Sequence, residues 1–311
     1  MDEEAMERFR ALPEPDLKED ILQHIQKKRD GYYFMNRPDG SCVMLDPDGL
    51  CRIQRNSSEE MLCITCRKFP RLAGRVRGDY WMSMAASCPV TAEYLWTKPV
   101  GWYMTDGETR QEIDWRELTY EKERREGLEW FMDSIEKQSA AVSLSMEERV
   151  PLLWDSYQRM YDLMDGCLEI LSSSSELPYL EGSFDYFEKD YGAAEIISHL
   201  MEFQETYGGK LRDFIKNYML YRVYSRSLEF PEEAAGDSFF AVSGELFLFY
   251  ILRFSRYQTM HQEDQSFVVA EINWMYRFCA HSQRRSGEYT SLIKDIFKKL
   301  EYLAEIIIRI S

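Results

Sequence analysis

The sequence predicts a mainly α protein, built as a small cysteine-rich loop/helix module packed on an irregular multi-helix bundle. Three observations lead there. Five of the seven cysteines, Cys42, Cys51, Cys63, Cys66 and Cys88, fall in one stretch near the start of the chain. A polar turn at Thr105-Asp106-Gly107-Glu108 then marks a boundary near residue 110. Beyond it, apolar residues recur at three- and four-residue steps, the period of an amphipathic helix. The expected division is therefore a cysteine-rich module over 1–110 and a helical bundle over 111–311.

In chain order, residues 1 to 30 are charged and helical in pattern, broken by Pro13 and Pro15, with Phe9, Leu12, Leu17, Ile21, Leu22 and Ile25 as the apolar stripe. Tyr32-Tyr33-Phe34 leads into the cysteine stretch and reads as core. Leu118 to Lys137 places Leu128, Phe131, Met132 and Ile135 on one helical face. Ser145-x-x-Glu148 has the form of a capping box at the next helix start. Residues 172–182 read as a loop. A helix from Phe184 to Tyr207 is expected to stop at Gly208-Gly209, since glycine takes the left-handed conformation of a helix end. Helices over 211–230, 239–261, 267–281 and 289–310 complete the bundle, with Met and Tyr stripes as its core.

The cysteine gaps decide what the thiols can do. Only Cys63 and Cys66 form a short C-x-x-C. Pro38-Asp39-Gly40 precedes Cys42 and Pro47-Asp48-Gly49 precedes Cys51, so each turn can present the next cysteine from a short loop. The opening MDEEAMERFR lacks a basic segment followed by an apolar run, so a secretory signal is not expected. A cytoplasmic location would keep the thiols reduced and available to a metal. Four thiolates suit zinc in a tetrahedral cage and equally an iron–sulfur cluster, and the spacing alone leaves both open. Cys167 and Cys279 stand far from the group and read as buried thiols. His199 and His281 fall on helices, where a lone histidine is more often a surface or capping residue than a ligand.

Formal charge and hydropathy exclude some partners. At −16 the chain argues against nucleic acid, whose phosphates need a basic face. A composition of 45% hydrophobic and 30% charged residues is that of a globular protein. No run of eighteen apolar residues is present, so no membrane span is expected.

Across the stretch, DG-S-C-x-x-L-D-x-D-G-L-C-x-I-Q, then Thr65-Cys66-Arg67-Lys68-Phe69-Pro70-Arg71, then Ser87-Cys88-Pro89, the sequence resembles the flagellin lysine-N-methylase family. The family pattern runs DGxCPxLDxDGLCxIQ, TCxxYPR and SLxLSCPEAARLxL in the same order. Weaker resemblance continues at Lys216-Asn217-Tyr218-Met219-Leu220-Tyr221-Arg222 with Phe230-Pro231, and at Met275 to His281. Family members carry an upstream segment with further cysteines, and nothing before Cys42 supplies them here. The resemblance implies methyl transfer from S-adenosylmethionine to lysine side chains of flagellin, with a cysteine-bound iron–sulfur centre, most simply a 4Fe-4S cluster, and zinc as the alternative metal. Cys42, Cys51, Cys66 and Cys88 coincide with the family pattern and are the implied ligands. Cys63 is extra. Arg71, which closes the C-x-x-x-P-R pattern, is the candidate for the donor's carboxylate. No catalytic base can be named.

Neither common route for this donor is written in the chain. The strand-linked glycine-rich turn of a doubly wound methyltransferase is absent, as is the C-x-x-x-C-x-x-C of radical enzymes. The alternative to an enzyme is a zinc-stapled or metal-free helical module that binds a partner protein.

Overall fold

The computed structural model describes residues 1, 3–28, 31–37, 42–47, 50–76, 78–118, 122–140, 145, 147–148, 150–155, 157–158, 161, 185–230, 233–260 and 265–285. The protein is mainly α, as expected. It divides into two compact units, 1–72 and 73–311, so the turn near residue 110 lies within the second.

The first unit begins with α1 (Glu3–Arg10) and α2 (Pro15–Gln23), split by Pro13 and Pro15 as the sequence suggests. Met6, Phe9, Leu12 and Ile21 from these helices are buried together with Met44, Ile53, Leu62 and Cys63. The apolar stripe changes period after Gln23. Ile25–Lys28 is strand β1, paired antiparallel with β2 (Gly31–Phe34), and Phe9 meets Phe34 at 6.0 Å between ring centroids. β-Branched and aromatic residues at Ile25 and Tyr32 to Phe34 favour a pleated ribbon over a third helical turn. Two short helices follow, α3 (Arg52–Asn56) and α4 (Ile64–Lys68).

The second unit starts with hairpins. Strand β3 (Arg71–Val76) spans the division and pairs with β4 (Asp79–Met84) through a turn at Gly78, whose φ of 98° suits glycine. Helix α5 (Pro89–Thr97) leads to the hairpin of β5 (Trp102–Thr105) and β6 (Arg110–Ile113). At its turn the Asp106 carboxylate accepts from the backbone N–H of Thr109 at 2.7 Å and of Glu108 at 2.9 Å. Those bonds hold Asp106 down at a pKa of about 2.

Helix α6 (Lys122–Ala140) buries Leu128, Phe131, Met132 and Ile135, the face read from the sequence. The capping box also forms, with the Ser145 backbone N–H and hydroxyl both donating to Glu148 at 2.9 Å. One expectation fails at the centre of the bundle. α7 runs unbroken from Ala193 to Glu229, through Gly208-Gly209, and starts at Ala193 rather than Phe184. Gly208 is buried, and Tyr207 and Leu211 on either side sit in the core, so packing along this face holds the helix where intrinsic propensity would end it. α8 (Ala235–Met260) and α9 (Gln265–Arg285) complete the described helices, with α8 between α7 and α9, α6 against α7 and α8, and α5 against α7 and α9.

α8 is long and apolar enough to cross a bilayer by length and composition, but 72% of its most apolar window is buried by the protein. The expected loop at 172–182, the helix at 289–310 and Cys167 lie outside the described residues.

Candidate functional site

Two β-bridges hold Cys42 and Cys51 in the first unit. A β-bridge between Asn36 and Cys42 closes one turn segment, and one between Leu45 and Cys51 closes the next. Arg37 reinforces the first by donating to the carbonyls of Leu45 and Val43. Arg52 reinforces the second by donating to the Val43 carbonyl at 2.9 Å and pairing with Asp20 at 2.7 Å. Cys42 and Cys51 are thereby held half-buried against the core that contains Cys63.

Cys63 and Cys66 meet directly. Cys63 is the N-cap of α4, and its thiol is in hydrogen-bond contact with the Cys66 sulfur at 3.4 Å. The side-chain contact with Cys66 lowers the Cys63 pKa, helped by the backbone N–H groups of Cys66 and Thr65 and opposed by burial. Cys66 moves the other way: its proton is held by Cys63, and burial and the charges of Cys63, Cys42 and Cys51 all disfavour its thiolate. Burial raises Cys42 as well, with Cys51 and Cys63 adding to it.

Within this unit Cys42, Cys51, Cys63 and Cys66 influence one another. Cys88 lies in the second unit, half-buried at the N-cap of α5. Arg71 opens β3 with its residue exposed. Tetrahedral ligation with metal–sulfur bonds of about 2.3 Å sets sulfurs about 3.8 Å apart. Cys63 and Cys66 stand closer than that, as a hydrogen-bonded pair. Among the described residues no three His, Cys, Asp or Glu side chains are arranged to hold a metal ion. As placed, Cys63 and Cys66 do not form one edge of a single-metal tetrahedron, and no chemical step below runs through a metal.

The second unit holds a different constellation, missed by the sequence reading. Arg222 grips Glu245 with two donors, at 2.9 and 3.2 Å, and reaches Glu229 at 2.8 Å. Arg226 donates to Glu245 at 3.1 Å and to both oxygens of Glu233, one at 2.8 Å. Arg124 from α6 donates to the Glu233 carbonyl at 2.6 Å and the Ser238 hydroxyl at 2.5 Å. Tyr218 and Tyr276 donate to Glu245 and Glu229, at 2.8 and 2.5 Å. Three arginines thus face three glutamates. Burial raises both tyrosines far above their ordinary range, and the two carboxylates hold the Arg222 charge firmly in place against burial.

The weaker resemblance motif belongs to this region. Asn217 accepts from the Val100 backbone N–H at 3.2 Å and donates to the Lys98 carbonyl at 2.9 Å, while Tyr221 donates to the Met84 carbonyl at 2.7 Å. Asn217, Tyr218, Tyr221 and Arg222 therefore fasten α7 to its neighbours. One signal was visible in advance: Glu245 and Arg253 interrupt an otherwise apolar run in α8, where an unpaired charge would not be tolerated. His199 accepts or donates at Nδ1 to the Tyr186 hydroxyl at 2.9 Å, under the edge of the Tyr191 ring, and Cys279 is half-buried on α9. Nothing is described of the His281 side chain.

Comparison with known proteins gives a partial relative. Over 57 residues, 18% of the chain, the sequence is 37% identical to the flagellar biosynthetic protein FliU of Salmonella muenchen. The similarity is to a flagellar protein. It covers 34% of that relative, so the chain spans about a third of the length of the curated protein it matches. No family model and no solved structure matches the chain.

Proposed function

We propose that this chain works in flagellar biosynthesis as a protein-lysine N-methyltransferase, moving a methyl group from S-adenosylmethionine to lysine side chains of flagellin. The observation that carries the reading is the partial similarity to a flagellar biosynthetic protein. The ordered motifs around Cys42, Cys51, Cys66 and Cys88 supply the reaction class by resemblance. In such a transfer the lysine nitrogen must first lose a proton, because an ammonium has no lone pair to attack with. The nitrogen then bonds to the methyl carbon as the carbon–sulfur bond of the sulfonium breaks. Exposed Arg71 is the residue assigned to the donor's carboxylate.

The non-enzymatic reading also has an observation behind it. The arginines and glutamates buried in the second unit are paired with one another and serve the framework of the fold rather than a reaction. One assay separates the two. Purified flagellin is incubated with the chain and isotope-labelled S-adenosylmethionine, and its lysines are read by mass spectrometry. Methyl-lysine that depends on the chain, with donor affinity about tenfold weaker in Arg71→Ala, is the expected result. Unmodified flagellin that still binds the chain would favour the module.

A further inference from the structure

The C-x-x-C of the first unit is placed for chemistry of its own. Cys63 and Cys66 are in direct sulfur contact at 3.4 Å, whereas the Cys42 and Cys51 thiols make no such contact among the described residues. The two ends differ in access: Cys66 is exposed, and Cys63 is 4% exposed and fixed in the core beside Leu62. Closing the pair asks the sulfurs to move from 3.4 Å to about 2.05 Å, across a segment of ordinary backbone that enters α4 at Cys63 with φ −64° and ψ 158°.

We propose that Cys63 and Cys66 form a redox-active dithiol that closes to an intrachain disulfide on reaction with a small-molecule disulfide. The inference stands apart from methyl transfer and needs no metal. In the first step the Cys66 sulfur bonds to one sulfur of the oxidant. The oxidant's own S–S bond breaks, and its other half leaves as a small thiol carrying the Cys66 proton. In the second step the Cys63 sulfur bonds to that of Cys66, the mixed S–S bond breaks, and a second small thiol leaves with the Cys63 proton. Two electrons pass from the cysteine pair to the oxidant. Access decides entry, since Cys66 is exposed and Cys63 is closed off in the core, and this outweighs the tighter hold on the Cys66 proton; resolution by Cys63 follows from its position against the same sulfur.

The test uses the full chain, reduced and dialysed against a chelator, then equilibrated with excess oxidised glutathione and alkylated. Trypsin cuts after Arg55 and Arg67, so one peptide, 56–67, holds both sulfurs. It is expected to appear unalkylated and lighter by two hydrogens, with Cys42 unbridged. Cys63→Ser is expected to retain one glutathione on Cys66, and Cys66→Ser none on Cys63. Cys42→Ser, which leaves the pair in place, is expected to form the same bridge, with folding of each variant checked by circular dichroism. Full alkylation of peptide 56–67, a Cys42–Cys51 bridge in its place, or glutathione left on Cys66 in the parent chain would overturn the proposal.

Discussion

The first unit gathers like groups and the second gathers opposites. Around Cys42, Cys51, Cys63 and Cys66, each thiolate would raise the cost of the next, and one S–H···S contact is the direct bond among them. Around Glu245 and Glu229, arginine and tyrosine donors converge so that opposite charges meet, with one Glu229 oxygen left without a hydrogen-bond partner. The comparison separates reactivity from architecture. Thiols gathered on one another, with only Arg37 beside Cys42 and the N-terminal ammonium near Cys63 as counter-charges, are poised for redox or ligand chemistry, while buried ion pairs matched in charge serve architecture.

The largest break in this comparison comes from removing one partner of the matched network. Glu245→Ala leaves Arg222 and Arg226 buried without their shared carboxylate and is expected to destabilise the second unit by about 3–5 kcal/mol, read by denaturant unfolding. A loss below about 1 kcal/mol would mean that water compensates the arginines and that the network is looser than its distances indicate.

Helix α7 supplies a change of opposite sign. At Gly209 a Cβ would meet nothing within 4 Å, and the residue is exposed in mid-helix. Gly209→Ala is therefore expected to stabilise by about 0.5–1 kcal/mol, whereas a left-handed helix end at this position would make the same change unfavourable. Thermal melting gives the sign directly.

The β5–β6 turn shows a smaller, pH-linked effect. The folded pKa of Asp106 lies below its ordinary 3.8, so its contribution is present above that value and is lost as pH falls through about 2. Amide shifts of Glu108 and Thr109 followed by NMR from pH 5 to 1.5 are expected to report that midpoint. A midpoint near 3.8 would mean that the turn is open in solution.

Metal removal is expected to have no effect on the helical signal, because α6 to α9 bury their own core. Circular dichroism before and after chelation, alongside iron, zinc and acid-labile sulfide analysis, checks this. Iron with matching sulfide whose removal melted the helices would make the thiol group the organiser of the whole chain.

Much of the architecture was legible because it rests on local physics. The face of α6, the pairing of Ser145 with Glu148, and the turn at Asp106 and Gly107 each depend on residues a few positions apart, while the two Pro-Asp-Gly turns lie largely outside the described residues. The misreadings occurred where distant packing overrode local preference. Gly208-Gly209 has every local reason to end a helix, yet α7 continues because the face on either side is buried. Ile25 continues a helical stripe on paper, yet it pairs across β1 and β2 with Phe34.

By itself the sequence determined that this protein is mainly helical and that its thiols are concentrated near the start. Only the tertiary structure decided that Cys63 and Cys66 meet directly. It alone also decided that Arg124, Arg222, Arg226, Glu229, Glu233 and Glu245 converge. The reason is physical: periodicity and turn chemistry act over a few residues, whereas buried charges and sulfur contacts are satisfied by partners that only the folded chain brings within reach.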